Sequence, residues 1–411
     1  MPEKDTDKKI RKTSKLCNVG YDIRGPVSDE AIRMDREGIP IISLNTGNPP
    51  EFGIFAPDEI EKAAIDGIRL SEAYTNSYGL PEAIEAIRKY SISKGIAGVT
   101  GEDIFTGNGV SELISIALQA LIENGDEILI PTPDYPLWTS VSTLCGAKAV
   151  HYLCDEQAGW LPDLDDIRKK INSGTKAIVV INPNNPTGAL YPKEHLLELL
   201  EIARQHDLIV FSDEIYDRLV MDDLEHHSCA ALAPDLLVVT FNGLSKSHMT
   251  PGFRCGWMYI SGAKERAKDY VEGIRMLSSM RLCANVLAQS VIKTALDNAY
   301  CAAPLLKPGG RIYEQREFIY RRINEIPGLS SVKPKAAFYL FPKIDVKKFG
   351  IVSDEQFVLD FLHDHRVLMT HGKGFNWPGV DHFRIVYLPE IDILSDIADR
   401  MDEFLKDYRQ S

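Results

Sequence analysis

The chain has 411 residues, 44% hydrophobic and 26% charged, an ordinary make-up for a globular protein large enough for more than one core. Its 46 Lys and Arg against 59 Asp and Glu leave a net charge of −13, which argues against general binding to nucleic acid or an acidic membrane, since both need a basic surface. The seven cysteines are odd in number and form no CxxC pair, so they give no disulfide or zinc framework and suit a reducing compartment.

In chain order, residues 1–16 are polar and charged and read as a flexible tail. The basic N-terminus lacks the apolar stretch of a secretory signal, and no apolar run approaches the roughly 20 residues that span a bilayer, so a cytoplasmic location is expected. Residues 17–50 read as an N-terminal arm that joins a small domain. Further on, short apolar runs alternate with longer amphipathic segments such as Glu194–His206. The runs are Asp103–Thr106, Glu127–Pro131, Ala149–Leu153, Ala177–Ile181, Ile209–Ser212, Leu237–Phe241 and Gly256–Ile260. Unbroken Ile, Val, Leu and Phe without polar alternation marks strands covered on both faces. The pattern predicts an α/β fold built on a mostly parallel sheet, whose ligands sit beyond the C-terminal ends of its strands. Past residue 300, Pro304, Pro308, Gly309 and Gly310 mark a connection to sparser elements. The expected division is a large domain at 51–300 and a smaller one formed by 301–411 with part of 17–50.

Four strand ends carry chemistry. Thr106-Gly-Asn-Gly-Val-Ser-Glu112 leads from a strand into an apolar helix, whose N-terminal amides suit a phosphate; it lacks the third glycine of a dinucleotide fingerprint, and alone it is weak. Asn182-Pro-Asn-Asn-Pro-Thr-Gly188 follows the run Ala177–Ile181 and serves equally as a rigid turn. Ser212-Asp-Glu-Ile-Tyr-Asp217 puts Asp213 at a strand end, where a semi-buried carboxylate needs a cationic or donor partner, although a helix cap is the bland reading. In Asn242-Gly-Leu-Ser-Lys246, a lysine in a Gly-flanked turn after a buried strand is costly to desolvate unless it is paired, exposed or chemically used, and Arg254 lies eight residues on. Such a Lys–Arg pair alone is more often surface charge. Taken together, the four ends can hold one ring with a phosphate, a phenolic oxygen, a basic nitrogen and an aldehyde, which is pyridoxal phosphate. The pair His226–His227 lacks the i, i+4 spacing of a zinc site, and no metal is expected.

With these motifs, and with Tyr21-Asp-Ile-Arg-Gly-Pro26, Pro133-Asp-Tyr-Pro-Leu-Trp138 and Phe375-Asn-Trp-Pro378, the sequence resembles the fold-type I, class I aminotransferases, and most of all the bacterial alanine (glutamate–pyruvate) enzymes. The resemblance implies a large domain with a seven-stranded, mostly parallel sheet, a smaller α/β domain, pyridoxal 5'-phosphate as cofactor, and a homodimer with shared active sites. It implies that Lys246 forms the Schiff base and shuttles the proton, that Asp213 pairs with the ring nitrogen, and that Asn185 and Tyr216 reach the ring oxygen. Tyr135 would stack on the ring. Asn108, Gly109, Val110, Ser245 and Arg254 would hold the phosphate, and Tyr74 would reach the phosphate of the neighbouring subunit. Arg384 and Gly47 would meet the substrate carboxylate, with Asn185 also among the substrate-binding residues, beneath a cap of Tyr21 and Arg24.

Three departures stand out. Gly243 occupies a position where the family commonly has a phosphate-binding Ser or Thr, the run Ser247-His-Met-Thr-Pro251 after the lysine is unlike that of the alanine enzymes, and Met280, beside Arg281, replaces the arginine of dicarboxylate-selective relatives. The expected reaction is ping-pong transamination, with alanine and 2-oxoglutarate as the leading pair. A β-lyase or amino-acid oxidase on the same lysine is the alternative.

Overall fold

The computed structural model describes residues 10–21, 25–297 and 302–410, so Arg24 lies outside the described residues. An eight-stranded sheet is built from β1 (Ile104–Asn108), β2 (Glu127–Thr132), β3 (Lys148–Asp155), β4 (Leu161–Pro162), β5 (Thr175–Ile181), β6 (Ile209–Asp213), β7 (Val238–Gly243) and β8 (Cys255–Ser261), in the order β1-β8-β7-β6-β5-β2-β3-β4. All seven apolar runs are strands. The eighth, β4, is a two-residue antiparallel edge on β3 that no apolar run announces. Strands β7, β6, β5, β2 and β3 are mutually parallel, while β8 runs against both β1 and β7.

Strand alternation divides the sheet's side chains between two cores, as the pleat requires. Val179 and Ile181 of β5 pack with Phe211, Phe241 and Met258 under helices α2 (Val110–Leu121), α3 (Leu137–Cys145) and α6 (Lys268–Met280). Ile178 and Val180 pack with Val210, Val238 and Trp257 under α1 (Pro81–Ser93) and α4 (Lys193–Gln205). Burial of both faces explains why the strands carry no polar alternation.

A third core gathers Val27, Met34, Leu44 and Ile54 with residues from Ala302 to Leu405, among them the apolar faces of α7 (Arg311–Glu325), α8 (Asp354–His365) and α9 (Ile391–Asp407). Its small strands β9 (Tyr339–Leu340), β10 (Thr370–His371) and β11 (Phe383–Val386) form an antiparallel sheet in the order β9-β11-β10. Tyr216, Leu219 and Met221 from the strand-end loop after β6 join this core, so the two parts of the molecule meet beside the sheet's C-terminal edge.

Register fixes what gathers at that edge. Ile181 pairs with Asp213, Asp213 with Phe241, Gly243 with Gly256, and Asn108 with Cys255. Because β8 is antiparallel, it begins where its neighbours end, and Arg254 arrives at the same rim as Asn108, Asp213 and Gly243.

Candidate active site

Asp213 ends β6 with 3% exposure. Its carboxylate accepts from Trp138 Nε1 (3.1 Å) and from the Ile215 amide (3.3 Å), yet burial prevails over these donors and pushes its pKa up to about 6. A buried carboxylate of this kind is short of positive charge. Glu214 and Asp217 of the same turn are served differently. Lys94, following α1, donates to Glu214 Oε2 (2.5 Å) and Asp217 Oδ2 (2.8 Å). Burial alone would raise both acids, but the charge of Lys94 together with the hydrogen bonds these carboxylates accept outweighs it and holds Asp217 down at about 2. Tyr90, Asn242, Ser212 and Ser228 donate to the same two carboxylates. His226 is half-buried over this cluster and bonds to the Asn182 carbonyl.

Lys246 stands on the single turn α5 (Leu244–Ser247), half-buried, with Nζ donating to the Gly47 carbonyl at 2.6 Å. Among the described residues no carboxylate lies within ion-pair distance of it, in contrast to Lys94. Gly243, three residues earlier, is glycine for a packing reason. A Cβ there would stand 2.5 Å from the Cys255 carbonyl oxygen, so this backbone has no room for the hydroxyl residue common in the family. Ser245 is the hydroxyl that remains on the turn before Lys246, and it is buried.

The loop into α2 forms a narrow cradle. Gly109 has φ +82°, and a Cβ on it would come within 2.2 Å of Arg254 Nη2; a Cβ on Gly256 would meet the Gly109 backbone at 2.7 Å. Both positions therefore depend on glycine. Arg254 donates to the Pro251 carbonyl (2.8 Å) and leans on the Asn108 carbonyl (3.5 Å). Two of the expected cradle amides are already engaged: Asn108 N–H donates to Glu112 Oε2 (2.8 Å) and Gly109 N–H to the Gly107 carbonyl (2.8 Å). Helix geometry leaves the amides of Val110 and Ser111 without intrahelical acceptors. Arg281 is committed to structure, with Nη1 on Glu112 Oε2 (2.5 Å) and Nη2 on the Thr106 carbonyl (2.6 Å).

Arg384, on β11, is 2% exposed. Its guanidinium lies between the rings of Tyr339 and Phe375, 4.5 Å from each centroid, while Nη1 donates to Asn185 Oδ1 (2.8 Å) and Nη2 to the Asn45 carbonyl. Nε has no partner among the described residues. Burial lowers the hold of this guanidinium on its proton, and the neighbouring Tyr339 and Tyr216 hydroxyls act against that. Tyr216 OH bonds to Tyr339 OH at 2.8 Å, and Tyr21 OH to Tyr135 OH at 3.0 Å. The loop of Tyr135 is tied to the segment that carries Phe375 by Asn376 Nδ2 to Asp134 Oδ1 (2.6 Å) and by Asp134 N–H to the Phe375 carbonyl (2.9 Å). Tyr74 is 81% exposed.

The structure thus brings Asn185 to Arg384, Lys246 to Gly47, Tyr21 to Tyr135, and Arg254 to the loop of Asn108. Sequence reading did not single out Tyr339, Phe375, Trp138 or Lys94. Only Trp138 and Phe375 had a signal, as members of quoted motifs.

Comparison with known proteins gives the family. The family described as aminotransferase class I and II matches residues 39–393. The glutamate–pyruvate aminotransferase of Haemophilus influenzae is 56% identical over 97% of this chain and 99% of its own length, and the alanine aminotransferase of Mycobacterium bovis is 48% identical over 97% and 93%. The crystal structure of an aminotransferase from Escherichia coli superposes with a TM-score of 0.97 at 55% identity, covering 98% of this chain and all of that one. The chain belongs to the class I and II aminotransferases, transaminases that work with pyridoxal phosphate.

Proposed function

We propose that this enzyme exchanges the amino group between L-alanine and 2-oxoglutarate, with Lys246 as the residue that holds the cofactor and moves the proton. The observation that carries the reading is the meeting, at one sheet edge, of an amine without a carboxylate partner among the described residues, a carboxylate short of positive charge, and a buried arginine whose Nε has no partner among them either. The choice of alanine rests on the names of the relatives above.

The residues fit the cofactor. A protonated ring nitrogen would supply the charge that desolvated Asp213 lacks. The glycine cradle at the start of α2, with Arg254 beside it, suits a phosphate that adds negative charge where helix amides converge. When bound, pyridoxal phosphate supplies an aldehyde that takes up amines and a ring that draws off electrons from the substrate Cα. Lys246 Nζ would hold that aldehyde and, once displaced by the substrate amine, take the proton from Cα; one positioned amine typically contributes about 10²–10⁴-fold. The Gly47 carbonyl orients Nζ between these tasks. Asp213 would keep the proton on the ring nitrogen. Because Asn185 Oδ1 already accepts from Arg384, its Nδ2 is turned to donate, and with Tyr216 it would bind the ring oxygen. Tyr135 would cover one ring face. With the Asn108 and Gly109 amides engaged, the phosphate would rest mainly on Val110, Ser245 and Arg254.

Arg384 would receive the substrate carboxylate, with its plane fixed by the two rings, and Gly47 lies alongside. Tyr21 would close over the site. Exposed Tyr74 is available to a second copy of the chain, so a homodimer with shared sites belongs to the proposal, as does a cytoplasmic location. The division into a cofactor-binding part at 51–300 and a smaller part from 17–50 and 301–411 is supported by the separate core around α7, α8 and α9.

The test is a half-reaction on the cofactor-loaded enzyme, followed by its visible spectrum. L-Alanine should convert the spectrum to that of the aminated cofactor, and 2-oxoglutarate should restore it. Pyruvate and ammonia from a cysteine-type substrate without any oxo acid would identify elimination instead.

A further inference from the structure

We propose that Tyr339 is a positioning residue that couples the substrate-carboxylate arginine to the hydrogen bond on the cofactor ring oxygen; this rests on the site reading above. Tyr339 is 2% exposed, on the short strand β9, and it meets three members of the site at once. The face of its ring lies 4.5 Å from the Arg384 guanidinium carbon. Its hydroxyl is 2.8 Å from Tyr216 OH. The same hydroxyl abuts Gly47, where a Cβ would come within 2.5 Å of it, and the Gly47 carbonyl holds Lys246 Nζ at 2.6 Å.

The chemistry follows from the proton count of a phenol. Tyr216 has one hydroxyl proton. If Tyr216 donates that proton to the ring oxygen, its bond to Tyr339 must be one in which Tyr339 donates and Tyr216 accepts. The order Tyr339 O–H to Tyr216 O–H to ring oxygen is then fixed, and accepting one bond strengthens Tyr216 as donor of the next. The ring of Tyr339 meanwhile forms one wall of the slot that keeps the Arg384 fork planar and aimed. Hydroxyl and ring thus serve different partners, and substitution can separate them.

Tyr339→Phe keeps the wall and removes the donor. A weaker donor on the ring oxygen leaves that oxygen a better partner for the adjacent nitrogen's proton, so the pH midpoint of the cofactor's visible band should rise by about 0.5 unit. The KM for L-alanine should stay within about twofold, and kcat should fall by about three- to tenfold. Tyr339→Leu removes the wall as well and should raise KM by about three- to thirtyfold beyond the phenylalanine variant. An unchanged midpoint in Tyr339→Phe, or a rise in KM without a midpoint shift, would overturn the coupling and leave Tyr339 as packing. Wild-type enzyme with no pH-dependent band at all would overturn the reading of Lys246 and the coupling together.

Discussion

Replacing Asp213 by asparagine separates the needs of the fold from those of the chemistry. Without cofactor, burial lifts the Asp213 carboxyl from an ordinary 3.8 to about 6, despite its bonds from Trp138 and Ile215. The native protein then keeps a proton that the unfolded chain has already lost. Stability falls as pH rises through this window, and the full loss of about 3 kcal/mol persists above it. Asparagine is neutral at every pH, so the variant escapes the loss above about pH 6 and gains nothing below about pH 4. Its amide brings a pH-independent penalty of its own, which cancels when two pH values are compared in the same pair of proteins. Between about pH 4.5 and about pH 8 the relative gain amounts to about 2 kcal/mol. For 411 residues unfolding as one unit at about 2.1 cal/mol/K per residue, that is about 2 °C in Tm. Calorimetry of both cofactor-free proteins at both pH values measures it. A Tm difference that does not change with pH would refute the view that Asp213 is an under-compensated carboxylate. Adding pyridoxal phosphate should stabilise wild type more than the variant.

Further outcomes follow from the same geometry. Arg384→Lys loses the planar fork and its fit between Tyr339 and Phe375, so kcat/KM for alanine should fall about 10²–10³-fold in steady-state assays, with cofactor affinity little changed. Gly109→Ala forces a side chain into a φ of +82° and to within 2.2 Å of Arg254 Nη2; cofactor titration should show at least about tenfold weaker binding. Lys94→Met leaves Glu214 and Asp217 buried without their cation, and denaturant unfolding should show a loss of about 3–5 kcal/mol.

The seven main strands were legible because strands buried on both faces read as unbroken apolar runs, and their ends deviate by only a few residues, as with Leu237–Phe241 against Val238–Gly243. The strand Leu161–Pro162 is too short, and half proline, to leave such a run. Residues just past strand ends were equally legible, because a parallel sheet turns chain position into spatial position: Asn185, Asp213 and Lys246 share one rim for that reason. Tyr339 was not legible. It lies in an apolar stretch, Ala336–Phe341, that reads as core, and its contacts to Tyr216 and Arg384 span 123 and 45 positions. Lys94 was hidden in the same way, as an ordinary lysine after a helix whose acidic partners stand beyond residue 210. Gly243 shows the reverse case: a departure from the family pattern whose cause, the Cys255 carbonyl, becomes visible only in the folded sheet.

The central claim is that Lys246 holds the cofactor and moves the proton. The measurement that tests it most directly is the visible spectrum and alanine half-reaction of Lys246→Ala loaded with pyridoxal phosphate. The account predicts loss of the lysine-dependent visible band and a fall in the half-reaction rate of about 10²–10⁴-fold, partly restored by an added small primary amine. A band and rate like those of wild type would contradict it.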